Sequence, residues 1–292
     1  MDKIKTSDYS VEQAVKLNEV ATYTMLSSTE EKLKQRLRDT RKKLSKLQDV
    51  FYAHSKYSVL ICLQGMDTAG KDSLIREVFQ DFNSRGVVVH SFKTPTLKEK
   101  QHDYLWRHYI ALPDRGKFGV FNRTHYENVL VTRVHPEYIL GENIPGINDV
   151  EDIDEKFWEA RFEQINNFEK HLVANGTIIF KFFLHLSKEE QKNRLIRRLT
   201  LEDKYWKFSP GDLEERKLWD KYQSCYEQAI NKTSTPEAPW YIIPSDNKKA
   251  ARAIVADILY DELKTIEEVQ YPTLDPSIVS QLEHYKKLLE DE

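Results

Sequence analysis

The chain has 292 residues, a hydrophobic fraction of 40%, a charged fraction of 31% and a net charge of −3. That balance suits a folded α/β protein with a heavily charged surface; it exerts no overall pull toward nucleic acid or an acidic membrane, so any polyanion must be held by a local basic patch. Two cysteines are too few for a disulfide framework and wrongly spaced for zinc, no run approaches the roughly 18 apolar residues needed to cross a bilayer, and Met1-Asp2-Lys3-Ile4-Lys5 has no apolar signal core, so a cytoplasmic setting is expected.

Residues 1–28 are weakly patterned. Over Glu30–His54, Leu33, Leu37, Leu44, Leu47 and Phe51 recur at mostly three- and four-residue steps, which predicts an amphipathic helix. It reads as a packing arm or an oligomer contact, although its basic face could instead help to hold a polyanion. Residues 57–63 are a short apolar run ending at a glycine, the mark of a strand buried on both faces. A helix carrying Leu74, Val78 and Phe82 follows, stopped by Gly86, and then a second strand leads through Val87, Val88 and Val89 to Phe92. Tyr104, Leu105, His108 and Leu112 predict a helix, Phe118, Val120 and Phe121 a third strand, and residues 124–134 another helix.

A polar connector over 141–149 precedes a long helix marked by Ile153, Phe157, Phe162, Ile165, Phe168 and Leu172 and ending near Gly176. Residues 177–184 form a fourth strand. A basic helix over about 188–199, a loop to Gly211, and a helix with Leu218, Tyr222 and Ile230 lead to a fifth strand at 240–243, and helices close the chain. Cys62 reads as a small buried hydrophobe. Strands alternating with helices predict a three-layer α/β/α sandwich around a parallel sheet. Three units are expected: an N-terminal helical arm (1–54), the main domain (55–268) with a lid at about 188–212, and a C-terminal helical tail (269–292).

The segment with the clearest chemistry is Gly65-Met66-Asp67-Thr68-Ala69-Gly70-Lys71-Asp72-Ser73. Gly65, Gly70 and Lys71 match the pattern of a phosphate-binding P-loop, and its place between a strand and a helix is the confirming context. Glycines let backbone amides curl around phosphate oxygens, the helix start turns its positive end toward the same anion, and Lys71 adds a charge for the transferred group. Asp72 stands where Ser or Thr is usual, with Ser73 one place later. A carboxylate at Asp67 would repel phosphate unless a cation lies between them. Asp67 therefore reads as a metal-side residue, and both aspartates could instead only cap the turn and helix.

Phe121-Asn122-Arg123-Thr124-His125-Tyr126-Glu127 follows the third strand, where the ends of parallel strands line a ligand crevice. Asn122 occupies a strand end that often carries an acidic metal ligand. Arg123 could grip a phosphate in a forked contact, joined by Arg133. On the basic helix Arg194, Arg197 and Arg198 share a face, and Lys204 and Lys207 extend the positive run. A charged helix is commonly a solvated face, but here it suits a lid closing over phosphates. The mixed segment Asp103-Tyr104-Leu105-Trp106-Arg107 reads equally as an acceptor-nucleotide contact and as a half-buried helix.

Three motifs in one order, Gln64 through Asp72, Thr94-Pro95 with His102 through Arg107, and Phe121 through Glu127, resemble polyphosphate kinase family 2 over about residues 30–265. The resemblance implies a thymidylate kinase-like fold and magnesium-dependent phosphoryl transfer between inorganic polyphosphate and nucleotides, with manganese as an alternative metal. It implies that Asp67 holds the metal with Asn122 as a second candidate, that Lys71 grips the transferring phosphate, and that Arg123, Arg194 and Arg198 neutralise the chain. Asn122 with Glu127 looks like the subgroups that phosphorylate AMP, some of which also phosphorylate ADP. AMP, ADP and ATP are the expected nucleotides, with guanine nucleotides as further acceptors, and a homodimer or homotetramer is the expected assembly. The rival readings are an ATP-dependent kinase of a nucleotide or small metabolite, and a nucleotide-binding regulator that transfers nothing.

Overall fold

The computed structural model describes residues 4–26 and 29–292. Met1-Asp2-Lys3, part of the stretch read as lacking a signal core, lies outside the described residues. Five strands, β1 (Ser58–Gln64), β2 (Val87–Ser91), β3 (Phe118–Asn122), β4 (Thr177–His185) and β5 (Trp240–Pro244), form one sheet in the order β2-β3-β1-β4-β5, and every pairing is parallel. The helices are α1 (Glu30–His54), α2 (Lys71–Val78), α3 (Trp106–Tyr109), α4 (Val131–Val134), α5 (Glu155–Ala174), α6 (Lys188–Thr200), α7 (Gly211–Lys217), α8 (Trp219–Thr233), α9 (Lys248–Leu263), α10 (Pro276–Val279) and α11 (Leu282–Glu290).

All seven residues of β1 are buried, because this strand is central and covered on both faces. Val59, Ile61 and Leu63 pack with α1, α2 and α9, whereas Leu60 and Cys62 face the opposite layer with Phe168 and Leu172 of α5. Alternation along one strand thus feeds two cores, and the result is the expected α/β/α sandwich. Cys62 and Cys225 are buried and unpaired. Among the described residues no helix is long and apolar enough to cross a membrane.

Several elements differ from their sequence expectation. The helix read through Phe82 ends at Val78, and Phe82 instead packs edge-on against Phe79 and Phe118. The helix expected around residues 104–112 is the single turn α3. Residues 124–134 form a 3-10 segment over His125–Val129 before α4, because this stretch is shaped by tertiary hydrogen bonds described below.

The described residues of the N-terminal arm pack against the main domain. Leu33, Leu37, Leu44 and Phe51 of α1 are buried against the sheet and α9, and Thr40 donates to Asp257 of α9 at 2.6 Å. Before α1, the Ile242 amide of β5 donates to Tyr9 O at 2.9 Å and the Val11 amide donates to Trp240 O at 2.8 Å. The apolar face of α1 is therefore used within the fold and is not available for self-association. At the C-terminal end, α10 and α11 leave Ile278, Val279, Leu282, Tyr285, Leu288 and Leu289 exposed.

Leu44→Ala should destabilise the protein by about 2–5 kcal/mol, the usual cost of a buried leucine truncation, read from the chemical-unfolding midpoint. Deleting residues 1–54 should abolish cooperative unfolding, whereas a true arm would leave the transition intact.

Candidate active site

The loop between β1 and α2 is built by close packing at its start and by cations behind it. Gly65 has φ +153°, and a Cβ there would lie 2.9 Å from Leu184 O, so only glycine lets β1 turn against β4. Gly70 (φ +107°) and Thr68 (φ +65°) are also left-handed. The loop carbonyls all accept hydrogen bonds. Lys71 Nζ donates to Gly65 O at 2.7 Å and to Met66 O at 3.4 Å. Gln191 Nε2 donates to Asp67 O at 3.2 Å. Arg194 Nη1 donates to Thr68 O and Ala69 O, each at 3.0 Å. Gly70 O receives Ser73 Oγ at 2.9 Å and the Leu74 amide at 2.9 Å. A trans peptide sets its N–H opposite its C=O. Holding this run of carbonyls therefore turns the opposing amides the other way, except that of Ala69, which donates to Met66 O at 3.1 Å; the rest lie beside the first-turn amides of α2, which have no intrahelical partner. That is an oxyanion cradle.

Arg194 was expected to neutralise the substrate chain, and the structure corrects this. Its guanidinium is buried, its Nη2 donates to Ser245 O at 2.6 Å and Asp246 O at 3.1 Å, and its Nε pairs with Glu190 at 2.7 Å. Every donor is engaged, so Arg194 shapes the loop and ties α6 to it. Arg198, one turn further along α6, instead reaches Asp67 in the loop. It pairs with Asp67 through both nitrogens (2.9 and 3.3 Å) and with Asp212 of α7 at 3.1 Å. Arg197 is exposed, close enough to Lys248 to add to the lowering of its pKa by burial, and Lys204 is half-buried.

At the end of β3, Asn122 Nδ2 donates to Asp72 at 2.7 Å, while its Oδ1 is buried with no partner among the described residues. Arg123 has φ +61° and pairs with Glu127 at 3.5 Å. The ammonium of Lys71 lies within the field of Asp67, Asp72, Arg123 and Glu127. Burial, and then Arg123, push that ammonium down to about 8, against the opposing pull of the three carboxylates. Tyr226 of α8 closes the same space: it hydrogen-bonds the Gly65 amide and lies within the field of Glu127 and Arg123.

Two expected residues lie elsewhere. Arg133 is tied to Gln228 and to Glu155 at 3.0 Å and lies over Trp158, so it braces α4 against α5 and α8 rather than joining Arg123. Asp103 is exposed and accepts from the Leu105 amide at 2.9 Å. Arg107 packs over Phe92 and pairs with Glu99 at 3.4 Å, within the field of Glu127, so it borders the cleft. The segment 103–107 is thus a half-buried turn at the rim. Sequence reasoning missed Gln191, Asp212 and Tyr226. None belongs to a spacing motif, and each reaches the loop from an element distant in the chain.

The residues fit a magnesium ion that is shared with a phosphate. Among the described residues no group of three or more His, Cys, Asp or Glu converges on one point. The carboxylates Asp67 and Asp72 and the unpartnered Asn122 Oδ1 suit an ion that binds one or two protein oxygens and completes its shell with phosphate and water.

Arg194→Ala should lower stability by at least about 3 kcal/mol, since each buried acceptor left unsatisfied costs about 1–3 kcal/mol. Arg198→Ala should leave the melting temperature nearly unchanged while lowering turnover. Thermal melts of the two variants check this division.

A family model described as Polyphosphate kinase 2 (PPK2) matches residues 27–271. The chain is 42% identical over 278 residues to an ADP-polyphosphate phosphotransferase of Rhodopseudomonas palustris, covering 94% of this chain and 95% of that protein. It is 45% identical over 231 residues to an AMP/ADP-polyphosphate phosphotransferase of Meiothermus ruber, covering 79% and 80% of the two chains. The crystal structure of Polyphosphate Kinase 2 from Arthrobacter aurescens superposes with a TM-score of 0.87 at 33% identity, over 100% of this chain and 99% of that one. With the cradle, the arginines and these relatives in agreement, the chain belongs to the polyphosphate kinase 2 family.

Proposed function

We propose that this protein transfers phosphoryl groups between inorganic polyphosphate and nucleotides, converting AMP to ADP and ADP to ATP. The observation that carries the reading is the loop from Gly65 to Gly70: its carbonyls are engaged from behind, and a lysine and two arginines face the same cleft. The names of the Rhodopseudomonas and Meiothermus relatives support the donor and both acceptors.

The chemistry asks little covalent work of the protein. The terminal phosphoanhydride of polyphosphate supplies a good leaving group, and the nucleotide phosphate is already an anionic nucleophile, so neither a covalent intermediate nor a strong base is needed. One P–O bond forms to the acceptor oxygen as the P–O bond to the shortened chain breaks. The protein aligns the two in line and stabilises charge on the equatorial oxygens. The loop amides hold the donor phosphates, Lys71 joins them by exchanging Gly65 O and Met66 O for phosphate oxygens, and Arg123 and Arg198 neutralise the transferring group. Asp67 and Asn122 would hold magnesium, which when bound neutralises phosphate oxygens. Arg198 must then exchange its pairing with Asp67 for the phosphate, while Asp212 retains it.

The remaining parts of the reading follow the same chemistry. Guanine nucleotides are further acceptors, since the cleft residues described above address phosphate rather than base. The setting is the cytoplasm, where such nucleotides are found. Self-association into a dimer or tetramer would use the exposed apolar residues of α10 and α11.

The deciding experiment incubates the purified protein with polyphosphate, magnesium and either AMP or ADP, then separates the nucleotides. ADP and ATP should form; phosphorylation only when ATP is supplied would return the ATP-dependent kinase reading. Lys71→Ala should reduce transfer by at least about 100-fold, in the range found when a pre-organised charge partner is removed, with an unchanged circular dichroism spectrum. Because Lys71 releases its proton near pH 8 in the free protein, kcat/KM for polyphosphate should be constant below about 8 and fall above it. Lys71→Arg should remove that alkaline limb.

A further inference from the structure

Strand β4 runs Thr-Ile-Ile-Phe-Lys-Phe-Phe-Leu-His and is buried from Ile179 onward, yet it carries a lysine at its centre. Lys181 is 0% exposed. Its Nζ donates to Glu169 of α5 at 2.6 Å, to Thr233 O at the end of α8 at 2.6 Å and to the Tyr126 hydroxyl at 3.1 Å. Tyr126 in turn donates to Glu169 at 2.7 Å, and His125 Nε2 lies 3.0 Å from the same carboxylate oxygen. The three ammonium protons, both carboxylate oxygens and the phenol are all satisfied.

A buried ion pair of this kind is weak evidence for stability, since apolar side chains of similar volume commonly do as well. What it does provide is a fixed junction of four elements. Two of its members, His125 and Tyr126, are among the three residues between Arg123 and Glu127. Arg123 is held at φ +61°, a region that disfavours a long side chain, so the turn needs restraint to keep that geometry. Thr124 adds a second tether, accepting from Gln64 Nε2 at 3.1 Å, directly before Gly65, and from the Tyr126 amide at 3.1 Å.

We propose that Lys181, Glu169, Tyr126 and His125 are positioning residues for phosphoryl transfer, holding the turn after β3 so that Arg123 faces the group carried by the loop. This rests on the reading of Arg123 as a phosphate contact. The residues act through Arg123 and touch no substrate themselves.

The test is a double-mutant cycle on kcat with polyphosphate and ADP. Tyr126→Phe removes only the hydroxyl shared by Lys181 and Glu169. It should lower kcat about five- to tenfold with KM for both substrates within twofold. In an Arg123→Ala background the same change should alter kcat by less than twofold. The shift in melting temperature should be equal in the two backgrounds. Glu169→Gln, which keeps shape and loses charge, should repeat the pattern. Additive losses, no loss, or failure of both variants to fold would overturn the proposal and assign the network to stability alone. If the parent chain transfers no phosphoryl group from polyphosphate, it is the functional reading that fails instead.

Discussion

The constraint on which the site depends is the orientation of the peptide groups between Gly65 and Gly70. An anion cradle made of backbone works only if the carbonyls face away from the anion, and a short loop has no intrinsic preference for that arrangement. Here side chains impose it from two directions. Lys71 reaches back to the first two carbonyls, and Gln191 and Arg194 of α6 take the next three. Gly65 makes the bend possible because nothing larger fits beside Leu184. The cradle is therefore a product of β1, β4 and α6 together.

Two arginines one helical turn apart on α6 consequently do different work. Arg194 is buried, and its donors are satisfied by the body of the protein. Arg198 reaches the cleft and bridges Asp67 and Asp212. The beginning of α6 is thus anchored to the loop, and a distal part runs on beyond Arg198. The exposed Trp206 and Tyr205 lie in that distal part. Asp67, a poor neighbour for phosphate by itself, is here neutralised by the guanidinium of Arg198.

A similar division explains how a chain of net charge −3 can serve a polyanion. Charge of both signs is abundant, and much of it is paired locally, as with Arg133 and Glu155 or Arg161 and Glu142. The cations that matter are few and are placed by buried partners. Lys181 is the extreme case, a charge enclosed in the core whose contacts run to the turn that carries Arg123.

Local pattern was sufficient to read the layered fold, the five strands and the loop. Each of these reports a short-range rule: alternation or continuous burial for strands, three- and four-residue spacing for helices, and glycine where the backbone must be left-handed. The same rules placed Lys71 at the start of α2, after the loop, and Arg123 directly after β3. They could not separate Arg194 from Arg198, exclude Arg133, or find Asp212, Tyr226 and the Lys181 network. Nor could they show that α1 belongs to the core, since its apolar stripe fits any partner. Only the folded chain decided these points, because a charged side chain acts according to what the tertiary contacts leave unpaired, and those contacts join different elements, some as far apart in the chain as Asp67 and Arg198.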